Sequence, residues 1–123
     1  FQIPQPFPIG TQLAARAHYW LAERDAALAR RVSLALLRAY FRDGEDISQA
    51  EVVGDVAQRE GVARDELLAA ISSEPLKQRL REECEAAIAR GVFGSPYVVI
   101  DGEPFWGVDR LPQIERWLAE GGF

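Results

Sequence analysis

A chain of 123 residues is long enough for one ordinary domain with a real core and too short for two. With 48% hydrophobic and 27% charged residues it is neither disordered nor fibrous, and a formal net charge of −5 argues against general attraction to nucleic acid or to an anionic membrane. A small ligand or a protein partner is the expected kind of interaction. No apolar run approaches the length of a bilayer span, and the N-terminus lacks the basic and apolar regions of a signal peptide. The single cysteine, Cys84, forms no internal disulfide, which fits a reduced, cytoplasmic setting. A start at Phe1 rather than Met suggests a processed or truncated product.

Residues 1–10, FQIPQPFPIG, carry three prolines and read as an extended arm. Thr11 is placed to cap a first helix with Leu13, Ala17, Trp20 and Leu21 on one face, closing near Asp25. A second periodic run through Val32, Leu34, Leu36, Leu37, Tyr40 and Phe41 stops at Gly44, making a helical hairpin. Ser48 and Glu51 have the spacing of a capping box for a third helix reaching about Gly61, with Val52, Val53 and Val56 inward. A short fourth helix is expected over Glu66 to Ile71. Ser73 is placed to cap a fifth, with Pro75 in its first turn, Leu76, Leu80, Cys84 and Ile88 recurring at every fourth position, and Gly91 as its end.

Strand signals are confined to the last third. Tyr97 to Ile100 are aromatic or β-branched, Asp101-Gly102 is a strong hairpin turn, and Phe105-Trp106 is the return strand. Asp109 is placed to cap a last helix, Arg110 to Ala119, with Leu111, Ile114, Trp117 and Leu118 as its buried stripe. An isolated hairpin is marginal in water. It asks for more sheet, and only Phe1 to Ile3 offers a weak candidate, so part of the fold is expected to be absent or supplied by another chain.

The stretch GVFGSPYVVIDGEPFWGVDRL, residues 91–111, resembles the C-terminal end of the DsbA-like thioredoxin branch, which includes the kappa-class glutathione transferases and, above all, the 2-hydroxychromene-2-carboxylate isomerases. Gly91-Val92-Phe93-Gly94, Pro96, the Asp-Gly-Glu turn, Phe105-Trp106-Gly107 and Asp109-Arg110-Leu111 agree in order and spacing. FPIGTQLAARA (Phe7 to Ala17) and FRDGEDIS (Phe41 to Ser48) resemble the same family's inserted helical domain. The resemblance implies a mostly α chain: an arm and helical insertion over residues 1–90, then over 91–123 the C-terminal hairpin and helix of a thioredoxin-like α/β fold whose N-terminal βαβ portion is missing.

It also implies a glutathione site. Pro96 would be the family's cis-proline, and the backbone of Ser95 would face the thiol. Val108 and Asp109 would hold the γ-glutamyl end, with the Asp109 carboxylate toward the ligand's amino group and helix N-terminal amides toward its carboxylate. An ordinary trans-proline at the start of an edge strand, and a plain N-cap at Asp109, are the alternatives that the residues alone leave open. Family members often carry Ser or Gln where this chain has Val108, and Asn where it has Gly10. The serine that would stabilise the thiolate is expected upstream of Phe1, so these 123 residues hold no catalytic residue of their own.

The remaining candidates have plainer readings. Cys84, on the same face as Leu80 and Ile88, is expected to be a buried, unreactive thiol. His18, without a second ligand nearby, is expected at the surface or boundary rather than at a metal. Lys77 to Glu85 reads as a solvated charged face, and Trp106 and Trp117 as core between hairpin and last helix. Phe7 and Pro8 either line a ligand groove or fasten the arm. The expected function is therefore a glutathione-dependent isomerase acting on a small aromatic substrate, with a homodimer allowed and no nucleic acid, membrane or metal involved. The alternative is a non-catalytic, truncated DsbA-like interaction domain that completes its sheet by dimerising.

Overall fold

In a computed structural model that describes residues 2–122, the chain forms six α-helices and one two-stranded sheet among those residues. The order is α1 (Gln12–Ala22), α2 (Ala26–Phe41), α3 (Ala50–Arg59), α4 (Arg64–Ile71), α5 (Glu74–Ala89), β1 (Tyr97–Ile100), β2 (Glu103–Trp106) and α6 (Leu111–Glu120), with a single 3₁₀ turn at Val108–Arg110 before α6. The chain divides into two compact units, Phe1–Glu83 and Cys84–Phe123, the boundary falling inside α5. None of the described helices is long and apolar enough to cross a membrane.

The first unit is built on one apolar cluster. Ala17 and Leu21 of α1, Val32, Leu36 and Tyr40 of α2, Val53 and Val56 of α3, and Leu67 and Ile71 of α4 are all buried in it. Every one lies on the stripe that a 3.6-residue period turns inward. Gly54 lets α3 and α4 approach closely: a Cβ there would stand 3.1 Å from Leu68 Cδ2 and 3.2 Å from Arg64 Cγ. At the surface of the same crossing, Arg64 bridges Glu51 at 2.6 Å and Asp55 at 2.9 Å. The Arg16 guanidinium donates to the carbonyl of Ile71 at 3.2 Å, tying α1 to the C-terminal end of α4, where negative carbonyls collect.

Several local expectations give way to competing interactions. α1 ends just before Asp25, as expected, with the Asp25 amide donating to the Leu21 carbonyl at 2.7 Å, but the Asp25 side chain serves the next helix: it is the N-cap of α2 and accepts from the Leu28 amide at 3.1 Å. Thr11 precedes α1 without a side-chain capping bond. The Ser48–Glu51 capping box does not form, because Asp46 captures both the Ser48 amide at 3.0 Å and its hydroxyl, while Glu51 is drawn to Arg64. Leu34, Leu37 and Phe41 fall on the outer side of α2, exposed to solvent. Ile3 belongs to no strand, and Phe1 lies outside the described residues. In the arm, the peptide bonds Gln5–Pro6 and Phe7–Pro8 are cis. The Tyr40 hydroxyl donates to the Pro6 carbonyl at 2.7 Å and fastens the arm, whereas Phe7 is exposed. His18 is half-buried and bonds Ser33 Oγ through Nδ1 at 2.9 Å.

A strict four-residue spacing advances about 40° per step beyond a whole helical turn, so the Leu76-Leu80-Cys84-Ile88 row winds around α5 instead of staying inside. Leu76 is buried, but Cys84 is exposed and Ile88 is 74% exposed. The expectation of a buried, desolvated thiol at Cys84 is thereby corrected. Along the outer face Arg79 pairs with Glu83 at 3.0 Å and also with Glu23, and its guanidinium lies 5.2 Å from the centre of the Tyr19 ring.

In the second unit the two strands pair antiparallel, with Tyr97 opposite Trp106 and Ile100 opposite Glu103. Asp101 (φ 53°) and Gly102 (φ 82°) form the two-residue turn, whose left-handed pair matches the twist of the strands. Phe105 is buried and meets Trp117 of α6 edge-on at 5.9 Å, and the Trp117 indole donates to Asp101 Oδ2 at 2.9 Å, fastening α6 to the turn. Ile114 completes that contact face. Leu111, Leu118 and Trp106 are exposed rather than buried as expected, because α6 covers just one side of a two-stranded sheet.

Two outcomes follow from the first unit. Leu67→Ala, at a fully buried position, is expected to cost about 2–5 kcal/mol in chemical denaturation, whereas exposed Leu37→Ala should change stability by less than about 0.5 kcal/mol. The hydroxyl and amide of Ser48 hold the Asp46 carboxyl below its usual range. The stabilisation from that depressed value is present above the ordinary carboxylate pKa and is lost as pH falls through the folded value. The stability gap between wild type and Asp46→Asn should therefore close on acidification below about pH 4, a trend that denaturation curves at stepped pH will reveal.

Candidate functional site

The four residues singled out by sequence, Ser95, Pro96, Val108 and Asp109, all belong to the second unit and meet at the open end of the hairpin. Their proximity follows from register. Because Tyr97 pairs with Trp106, the residues just outside that pair, Pro96 and Gly107, face each other, and the Gly107 amide donates to the Pro96 carbonyl at 3.0 Å. The Ser95–Pro96 peptide bond is cis. Gly107 has φ 100°, a conformation that side chains strain to adopt, and it turns the chain directly from β2 into the 3₁₀ turn.

That turn corrects the expected role of Asp109. It is the middle residue of Val108–Arg110, not the N-cap of the last helix; α6 starts at Leu111 behind Arg110, and no side chain caps it. Pro112 in the first turn of α6 has no amide to satisfy, which helps explain why a capping side chain is dispensable there. The Asp109 carboxylate folds back over Gly107, where a Cβ would collide with Oδ1. Relieved of capping, it makes no hydrogen bond or ion pair with any described residue. The amides of Val108 and Asp109 open the turn and so have no acceptor within it. All four residues are exposed in the second unit, Val108 at 67%.

An aromatic group that sequence reasoning assigned to the core stands beside these residues. Phe93 contacts Tyr97 edge-on at 5.5 Å and Trp106 at 5.0 Å, and Trp106 is 53% exposed. The nitrogen side of the Trp106 indole packs against Gly94, so closely that a Cβ there would collide with the ring nitrogen. The signal for this was present in the phenylalanine-glycine pair immediately before Ser95-Pro96. It was unreadable without the register that sets Trp106 opposite Tyr97.

The arrangement presents a carboxylate, two unclaimed amides and the bare peptide of Ser95 along one rim, next to an aromatic surface. An ammonium group suits the first and a carboxylate the second, the charge pattern of an amino-acid end. Among the described residues no cluster of His, Cys, Asp and Glu could hold a metal ion.

Comparison with known proteins agrees with this architecture. Residues 1–119 match the DSBA-like thioredoxin domain, and the chain belongs to that family. It is 31% identical over 125 residues to glutathione S-transferase kappa 2 of Caenorhabditis elegans, covering 96% of this chain and 51% of the relative. It is 31% identical over 137 residues to glutathione S-transferase kappa 1 of Rattus norvegicus, covering 98% and 60%. Similarity to the 2-hydroxychromene-2-carboxylate isomerase of Sphingobium xenophagum is 34% identity over 120 residues, covering 98% and 62%. The chain thus spans between about half and three-fifths of the length of these relatives.

If the indole is seated by the missing side chain at position 94, Gly94→Ala will displace it. The expected reading is a shifted indole N–H resonance and an altered near-ultraviolet circular dichroism band, both absent when the same substitution is made in a Trp106→Ala background.

Proposed function

We propose that this chain provides the glutathione-holding part of a glutathione-dependent isomerase of the 2-hydroxychromene-2-carboxylate type, acting on a small aromatic substrate. The observation that carries the reading is the Gly107–Pro96 hydrogen bond of 3.0 Å, which gathers Ser95, Pro96, Val108 and the Asp109 carboxylate, unpartnered among the described residues, at one rim. The donor set suits the tripeptide: Asp109 is complementary to its α-ammonium, the Val108 and Asp109 amides to the adjacent carboxylate, and the Ser95 backbone to the cysteinyl part. Relatives named as kappa glutathione transferases and as an isomerase support the choice of ligand class.

When bound, glutathione supplies a sulfur nucleophile that adds to the substrate and departs again, so the net change is an isomerisation with no change of oxidation state. In this reading the chain's residues orient that nucleophile rather than activate it. The proposal assigns the serine that favours the thiolate to sequence upstream of Phe1. Trp106 and Phe93 offer an apolar surface beside the rim against which a flat substrate ring stacks.

One observation favours a second reading. The described sheet has two strands, so its hairpin leaves unpaired edges. A non-catalytic DsbA-like interaction domain would complete the sheet by pairing with a second copy. Sedimentation separates the two: a dimer that takes up no glutathione belongs to the second reading.

Isothermal titration of glutathione into the protein tests the first. Saturable binding is expected, weakened at least about tenfold by Asp109→Ala, the scale of a lost charged hydrogen bond. Cysteinylglycine, which lacks the γ-glutamyl end, should bind wild type and variant equally. Absence of heat at millimolar glutathione, or an Asp109→Ala variant that binds as well as wild type, defeats the assignment.

A further inference from the structure

We infer that the first unit carries a second ligand site, an open groove between the N-terminal arm and the end of α2, built for a medium-chain carboxylate: one anionic head and a slender apolar body. The groove has a volume of about 830 Å³, within the range of small-molecule sites. One wall is Ile3 and Pro4 of the arm; the other is Leu37, Tyr40 and Phe41 of α2. The walls are fixed to each other, because the Tyr40 hydroxyl donates to the Pro6 carbonyl at 2.7 Å and Pro4 is buried. Burial, and then the nearby negative Asp46, push the Tyr40 hydroxyl above its ordinary value, so it remains a donor through the neutral range.

The lining is apolar yet wet: Ile3 is 59% exposed, Leu37 53% and Phe41 43%. None of these side chains is used by the core that organises the unit. The charge pattern then selects the occupant. Between Ala26 and Phe41, α2 bears three arginines, Arg30, Arg31 and Arg38, and no acidic residue, in a protein of net charge −5. Two arginines reach the groove. Arg42 is neutralised by Asp43 through two hydrogen bonds of 2.8 and 3.0 Å, whereas Arg38 has no carboxylate partner among the described residues. A single unneutralised cation beside an apolar trough calls for a single negative head. Two copies of this face would set Arg38 and its neighbours against like charge, which disfavours self-association here.

Dimensions favour a chain. The arm segment Gln2 to Gln5 reaches at most on the order of 10 Å, and Leu37 to Phe41 is one helical turn, about 6 Å. The site lies wholly in the first unit and does not depend on the glutathione reading.

The test is titration of decanoate into the ¹⁵N-labelled protein, followed by amide shifts and calorimetry. Saturable shifts are expected at Ile3, Leu37 and Phe41, with the dissociation constant raised at least about tenfold by Arg38→Glu and likewise by Leu37→Glu. Both positions are exposed, and circular dichroism verifies the fold; Arg38→Gln removes the charge without reversing it and should weaken binding in the same direction. Decan-1-ol reports the apolar part alone and should bind more weakly and be indifferent to Arg38→Gln. The proposal is overturned if decyltrimethylammonium binds as well as decanoate, if shifts are confined to residues 84–122, if no saturation appears at millimolar ligand, or if the groove resonances move with protein concentration alone, which would make a second copy the occupant.

Discussion

The hydrogen bond from the Gly107 amide to the Pro96 carbonyl is the constraint on which the candidate site depends. It is the last rung of a ladder whose first is set at the other end by Asp101-Gly102. A two-residue turn permits one register, and a slip by one residue would exchange the faces of every strand residue. The register that buries Phe105 against Trp117 is therefore the same one that leaves Trp106 outward and brings position 96 to position 107. Core packing and site assembly are two consequences of one alignment. The bond from Trp117 to Asp101 ties α6 to the turn, so the helix that follows the 3₁₀ turn is held from its far side as well.

What could be read in the sequence were features whose cause is local. The extents of the helices follow from period and from Gly44 and Gly91, both with positive φ, and the hairpin follows from its turn. The misreadings share a different cause: two local rules competed for one group. Ser48 could have capped α3, but Asp46 two residues earlier offers a carboxylate to the same hydroxyl and amide, and an ionised acceptor wins. Asp109 had the right residue type to cap α6, but Gly107 starts a tighter turn sooner and moves the start of the helix to Leu111. Cys84 looked buried because a spacing of four resembles the helical period closely enough over one turn and fails over three. Trp106 was unreadable for another reason: which face of a strand is inward depends on what covers it, and α6 covers one face alone.

The freed Asp109 carboxylate shows how such a competition can matter for function. An N-cap aspartate spends its oxygens on backbone amides and has little left for a ligand. Here the helix begins with Pro112 in its first turn, which needs no partner, and the acid two residues before Leu111 is left available. The 3₁₀ turn thus changes what the acid at position 109 is able to do.

The hairpin also carries information about where more sheet can be added. With Pro96 and Gly107 bonded to each other, alternation makes the pairs 98–105 and 100–103 the hydrogen-bonded ones and turns positions 97, 99, 104 and 106 toward the outer edges. On β2 one of those positions is Pro104, which has no amide to offer. Its edge is blunted, while the edge of β1 presents the amides of Tyr97 and Val99 intact. A further strand would find its full set of donors on β1 and would lack one on β2. A strand added at β1 would leave Ser95 and Pro96, which lead into β1, on the interior side of the completed sheet, and the Gly107 turn on its rim.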